Sequence, residues 1–167
     1  YEEEFEFNKA FAWSPDGGRI AYIRFDESRV REWTIQIYKG MAPAKEANAL
    51  YPENYTYKYP KAGEDNSLVS VHIHNLESGN TTQVDVGEET DQYIPRIKWT
   101  HDPEKLLVYR LNRLQNHLEF LRADAATGQT RVVFEETNTY YIDEKYFDQI
   151  AFLPGGKSFI FMSERDG

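Results

Sequence analysis

A chain of 167 residues, 40% apolar and 15% aromatic, can bury a core of its own, which excludes a disordered tail. Twelve tyrosines and ten phenylalanines tilt it toward strands, and an all-β fold is expected. A net charge of −9 argues against nucleic acid as a partner, the lack of cysteine removes disulfides and thiolate metal sites, and neither a run of about 18 apolar residues nor a signal-peptide pattern occurs.

The chain opens on YEEEF, where Glu2, Glu3 and Glu4 stand side by side. Like charges at this spacing repel, so the run is either a solvated end or a concentrated negative site for a cation. Next comes an aromatic, a Pro/Asp/Gly turn and an alternating apolar strand, a pattern that occurs three times: WSPDGGRIAY at 13 to 22, WTHDPEKLLVY at 99 to 109 and FLPGGKSFIF at 152 to 161. Each predicts a hairpin by its turn chemistry. After the first lies WTIQIY, with Trp33, Ile35 and Ile37 on one face, and then GMAPAKEANALYPENYTYKYP, which is helix-tolerant and rich in Tyr. A second hairpin type, VSVHIHNLESGNTTQVDV at 69 to 86, is echoed by HLEFLRADAATGQTRVVF at 117 to 134, both turning through Ser-Gly or Thr-Gly with a Thr two residues later.

Alternating the two hairpin types makes units of four antiparallel strands, with the length of propeller blades. Trp99 and Phe152 are 53 residues apart, which fits one blade, whereas Trp13 and Trp99 are 86 apart and require an insertion. The expected division is one blade at about 9–87 with an insertion at 26–60, a second at about 93–136, and the start of a third at about 146–167. Two to three blades cannot bury both faces of every sheet, so the chain is expected to be part of a larger ring.

YEEEF, then WSPDG, then YPKAG at 59 to 63, then LNRLQNH at 111 to 117 resembles, in that order and over the whole chain, the N-terminal propeller of the dipeptidyl peptidase IV family of serine exopeptidases. The resemblance implies an eight-bladed propeller capping an α/β-hydrolase domain, and release of dipeptides from peptide N-termini when the second residue is Pro or Ala. It implies that Glu3 and Glu4 match the two glutamates that grip the substrate's α-ammonium, with Glu2 an extra acid beside them. It places Tyr146 and Phe147 where the family sets aromatic and basic residues beside the first substrate side chain, although this sequence lacks the arginine there. An arm at about 29–55 would reach a second subunit, giving a homodimer, and the parent protein would be periplasmic, secreted or anchored on the outer side of a membrane. No G-x-S-x-G stretch occurs. The hydrolase domain, with its catalytic Ser, Asp and His, is expected to lie outside this chain, which alone should be inactive.

An exopeptidase measures length from a chain end whose distinguishing feature is a positive amine with three N–H donors. Two converging carboxylates bind it with charge assistance, while an internal amide would leave both acids unpaired. Neighbouring residues on a strand point to opposite faces, so convergence predicts a short helical turn around Glu2 to Phe5. Binding should fade below the carboxylate pKa and above about 7.7 to 8, where the amine loses its proton. A propeller acting as a binding scaffold is the alternative function, and the propeller of an acylaminoacyl or prolyl oligopeptidase, which lacks the paired glutamates, is another.

Other groups have plainer readings. His72 and His74 share one strand face at a spacing that can chelate zinc, but no third ligand is evident nearby, and no metal or cofactor is expected. His101 and His117 have no neighbouring nucleophile in sequence. The tyrosines at 51 to 59 read as packing or as a platform, and Arg110 and Arg113 as partners of the surplus acids.

Overall fold

The WSPDGG turn folds β1 (Phe11–Trp13) back along β2 (Arg19–Asp26), pairing Phe11 with Tyr22 and Trp13 with Ile20. Asp16 closes the turn by accepting from Ser14 Oγ at 2.6 Å and Gly18 N at 3.0 Å, while Gly17 takes the left-handed φ of 73°. The computed structural model describes residues 1–38 and 51–166, without the side chains of Glu2 and Glu3. The helix-tolerant stretch from 40 to 50 lies outside the described residues.

Two units make up the chain, Tyr1–Phe25 with Leu68–Gly167, and Asp26–Ser67. In the first, β1 and β2 continue into β5 (Leu68–Asn75) and β6 (Thr81–Gln83) as one four-stranded antiparallel sheet, so the sequence between β2 and β5 is an insertion. The second sheet runs from β11 (Thr130–Thr137) through β10 (His117–Asp124) to β9 (Lys105–Asn112). Beyond β9 the next position is shared by β7 (Gln92–Tyr93) and β8 (Ile97–Trp99), with Tyr93 opposite Leu111 and Ile97 opposite Val108. Pro95 separates those two short strands because it has no N–H to give a ladder. A third, two-stranded sheet pairs β12 (Ile150–Phe152) with β13 (Phe159–Phe161) across the LPGGKS turn.

The middle sheet explains why KLLVYRL reads as nearly continuous apolar sequence: both of its faces are covered. Leu106 and Val108 of β9 and Leu121 and Ala123 of β10 join Ala21, Ile23, Val71 and Ile73 of the first sheet in one core. The alternate residues Leu107, Tyr109, Leu111, Leu118 and Phe120 form a second core with Phe5 and Phe147, against which Phe159 and Phe161 of the third sheet pack. Phe120 stacks on Tyr109 with ring centres 4.0 Å apart. The indole N–H of Trp99, an aromatic that leads its hairpin, donates to the Ala12 carbonyl at 3.0 Å, and Gly128 O accepts from Asp85 N at 2.8 Å. Face-to-face sheets joined in this way are successive blades, and the fold is an all-β partial propeller.

In the second unit, β3 (Glu32–Ile37) pairs with β4 (Glu53–Lys58), so the Tyr-rich part of the insertion is a strand. The unit also runs to Ser67, past the boundary expected at 60. Trp33 lies opposite Tyr57 and Ile35 opposite Tyr55, which puts Trp33, Ile35 and Ile37 on one exposed face with the tyrosines. Lys61 covers the Trp33 ring at 3.4 Å, and Arg29–Asp65 at 3.1 Å and Arg31–Glu64 at 3.3 Å pin the base of the ribbon.

Candidate functional site

Residues Glu2–Phe5 form a single α-helical turn, α1, the backbone that paired acids require. Its anchor is aromatic. Tyr1 and Phe5 are four residues apart and therefore share a helix face, and their rings meet edge-on at 5.4 Å while Phe5 N donates to Tyr1 O at 3.0 Å. Phe5 is 1% exposed and also meets Tyr93 edge-on at 5.1 Å. The Tyr1 hydroxyl accepts from Ile94 N at 3.1 Å, and burial pushes its pKa well above the ordinary tyrosine value. The turn stops at Glu6, whose φ of 48° is left-handed and cannot continue a helix.

Glu4 is exposed, and its Oε1 accepts from Gln115 Nε2 at 2.7 Å. Gln115 sits in the β9–β10 turn with φ 57°; its own N–H donates to Asn112 O at 2.9 Å and its carbonyl accepts from Ile142 N at 2.8 Å. The acid is thus oriented by a rigid turn and keeps lone pairs for another donor. Tyr93 lies close by: burial raises its pKa, Arg113 opposes that rise, and the charges of Asp91 and Glu4 add to it. Glu3 contributes backbone to α1, and its side chain lies outside the described residues.

The 3₁₀ turn Glu144–Tyr146 lies against α1. Asp143 caps it by accepting from Lys145 N at 3.0 Å. Lys145 also forms an ion pair with Asp143, and that pairing is the main influence raising its own pKa. Tyr146 donates to Glu164 at 2.8 Å and borders a cavity of about 20 Å³, lined also by Glu136, Tyr141 and Ser163, which has room for about one water. Phe147 corrects an expectation. It is 0% exposed, edge-on to Tyr109 at 5.9 Å, and so has no surface to offer a substrate; its work is to hold the turn onto the second core.

Two residues with no part in the sequence reading tie these elements together. Arg96 donates to the Phe5 carbonyl and to Asp148, directly after Phe147, and Lys98 Nζ meets the same Asp148 at 2.6 Å. Burial alone would raise the Asp148 pKa, but the hydrogen bonds from Arg96 and Lys98 outweigh it and hold the carboxyl below its ordinary range. Arg110 pairs with Glu119 at 2.6 Å and Arg113 with Asp91 at 3.0 Å, as acids in surplus suggested. His72 bonds Ser70 at 3.0 Å and His74 bonds Thr81 at 2.9 Å, and among the described residues no group of three or more His, Cys, Asp or Glu is placed to hold a metal.

The model of the dipeptidyl peptidase IV N-terminal region matches residues 1–167. The chain belongs to the dipeptidyl peptidase IV family. Dipeptidyl peptidase 4 of Trichophyton rubrum is 32% identical over 146 residues, covering 83% of this chain and 18% of that protein. Inactive dipeptidyl peptidase 10 of Rattus norvegicus is 30% identical over 172 residues, covering 100% of this chain and 20% of that protein. The crystal structure of dipeptidyl peptidase 4 from Porphyromonas gingivalis superposes with a TM-score of 0.86 at 39% identity, over 100% of this chain and 22% of that one. The chain therefore spans about a fifth of the length of the family members it matches. Most of those named are peptidases, hence hydrolases, and no described helix is long and apolar enough to cross a membrane.

Proposed function

We propose that this region recognises the free N-terminus of a peptide for a dipeptidyl peptidase that releases Xaa-Pro and Xaa-Ala dipeptides by serine hydrolysis elsewhere in the protein. The carboxylates of Glu3 and Glu4 bind the substrate α-ammonium, and Tyr146 on the neighbouring turn borders the first substrate side chain. The observation that carries this reading is the α1 turn itself. Three adjacent acids sit on one helical turn whose flanking aromatics, Tyr1 and Phe5, are packed down, and Glu4 is left exposed and oriented by Gln115. A merely solvated acidic run has no need of such anchoring. Charge-assisted pairing with an ammonium also sets register, placing the bond after the second residue at the nucleophile.

In the same proposal the protein works outside the cytoplasm, and the exposed apolar face of the β3–β4 ribbon, which overlaps the expected arm at 29–55 and runs on to Lys58, contacts a second subunit. The likeness to an inactive family member favours a second reading, a propeller that binds without catalysis. A G-x-S-x-G elbow in the full-length protein separates the two.

The test is a rate comparison on Gly-Pro chromogenic substrates, free and N-acetylated, using the full-length protein. A strong preference for the free amine, lost in Glu3→Gln and Glu4→Gln, is expected. Equal rates on both substrates would contradict the reading.

A further inference from the structure

We propose that Arg96 is the positioning residue of this site: its guanidinium ties the carbonyl end of the glutamate turn to Asp148 and so sets the acids against the Tyr146 turn. The inference rests on the reading of α1 as an ammonium site and assigns it a clamp.

The contacts of Arg96 use every nitrogen of its head group. Nη2 donates to Phe5 O at 2.7 Å and to Asp148 Oδ2 at 2.9 Å, Nε donates to the same Oδ2 at 3.0 Å, and Nη1 donates to Pro95 O at 2.8 Å. The side chain is 13% exposed. Its backbone is fixed as well, because Arg96 O accepts from Tyr109 N at 3.0 Å in the middle sheet.

What it holds needs holding. Phe5 O is a terminal carbonyl of a one-turn helix, one of the groups left without an intrahelical partner, and a cation is favoured at that end of the helix dipole. A single turn has no stability of its own, so its position is set by its fixings: the Phe5 ring on the core side, Gln115 at Glu4, and Arg96 at the carbonyl. On the other side of the clamp, Asp148 follows the buried Phe147 and is braced by Lys98 at 2.6 Å. Arg96 thus spans the two elements that carry Glu4 and Tyr146, joining a strand-fixed backbone to both. Lysine can reproduce this only in part, since it lacks the planar fork whose separate nitrogens meet Phe5 O, Asp148 Oδ2 and Pro95 O together.

The experiment uses the full-length protein and free and N-acetylated Gly-Pro substrates, with Arg96→Met, Arg96→Lys and Asp148→Asn beside Glu4→Gln. Hydrogen exchange at the amides of Phe5 and Phe7 is read in each. Arg96→Met is expected to raise KM for the free-amine substrate about 10- to 100-fold, the loss that misplacing a binding group brings, with a smaller change in kcat and none on the blocked substrate. Exchange at Phe5 and Phe7 should quicken, and Arg96→Lys should recover part of both effects. Should Arg96→Met fail to fold, Asp148→Asn, which frees the guanidinium from its brace, is expected to give the same KM rise in milder form. If Glu4→Gln abolishes the free-amine preference while Arg96→Met and Asp148→Asn leave KM and exchange unchanged, the clamp is refuted and the ammonium site stands. If Glu4→Gln changes nothing, the ammonium reading fails, and unchanged exchange in Arg96→Met then refutes the clamp as well.

Discussion

Phe5→Ala is the substitution that most sharply separates an anchored functional turn from a loose acidic end. The Phe5 ring is 1% exposed and packs edge-on against Tyr1 at 5.4 Å and Tyr93 at 5.1 Å. Truncating a buried Phe to Ala costs about 3–5 kcal/mol, within which each aromatic contact accounts for about 0.5–1.5 kcal/mol. The polar fixings that remain, the hydrogen bond from Phe5 N to Tyr1 O with Arg96 at the Phe5 carbonyl and Gln115 at Glu4, return about 1–3 kcal/mol each and leave the turn docked more weakly, so that it opens more often. The deficit should therefore appear as local opening of residues 1–7, with the middle sheet intact. Hydrogen exchange followed by mass spectrometry reads this directly: the amides at positions 5 and 7 should exchange faster in Phe5→Ala while those of Leu111 and Phe120 keep their protection, and Phe5→Leu should fall between. Loss of protection throughout the sheets, with α1 no worse than the rest, would mean that Phe5 is an ordinary core residue, and the reasoning would fail.

The two Ser/Thr-Gly hairpins give a matched pair. Gly79 and Gly128 have φ of 72° and 74°, but a Cβ at Gly79 meets nothing within 4 Å, whereas one at Gly128 collides with the Gln83 carbonyl oxygen. Gly79→Ala should cost about 1–2 kcal/mol from backbone strain alone, and Gly128→Ala distinctly more, with equal urea midpoints counting against the packing described. His72 has its pKa lowered, first by burial and then by Arg24. Its neutral form is the one the fold favours, so the contribution is whole above the unfolded value near 6.5 and is lost as pH falls below it; His72→Gln should flatten the drop in urea midpoint as pH falls below about 6.5. Asp124 has the opposite charge type and the same sign. Hydrogen bonds from Lys105 and then Thr127 hold its pKa at about 2, against an ordinary 3.8. The destabilisation of Asp124→Asn should thus be full at neutral pH and shrink as pH falls from 3.8 through about 2, and a difference that persists at the acid end would argue against the ion pair.

Local chemistry carries much of the fold. Each hairpin that Pro, Asp and Gly announce is present, since turn residues act over four to six positions and need no distant partner. The alternation in VSVHIHN likewise gives the buried face of β5 directly, with Val71 and Ile73 inward, whereas HLEFLRA breaks alternation at Phe120 and Leu121 because β10 is covered on both faces. Long-range features left no such trace. Arg96 meets Phe5, 91 residues away, and Gln115 meets Glu4, 111 residues away. Neither spacing has a local signature, although Gln115 lies inside LNRLQNH, one of the stretches that carried the family resemblance. Phe147 was misread for a related reason. A buried aromatic and a substrate-facing one look the same in sequence, and only the 3₁₀ turn that rotates Phe147 inward and Tyr146 outward distinguishes them. In the insertion, ENYTYK reads as Tyr-rich and ambiguous until β3 supplies its cross-strand partners.

The ammonium site is tested most directly by a crystal structure of the full-length protein with a Gly-Pro dipeptide bound. The α-amino nitrogen should lie about 2.7–2.9 Å from carboxylate oxygens of both Glu3 and Glu4, the distance of a charge-assisted pair. An amine held by other groups, with Glu4 still engaged only by Gln115, would contradict it.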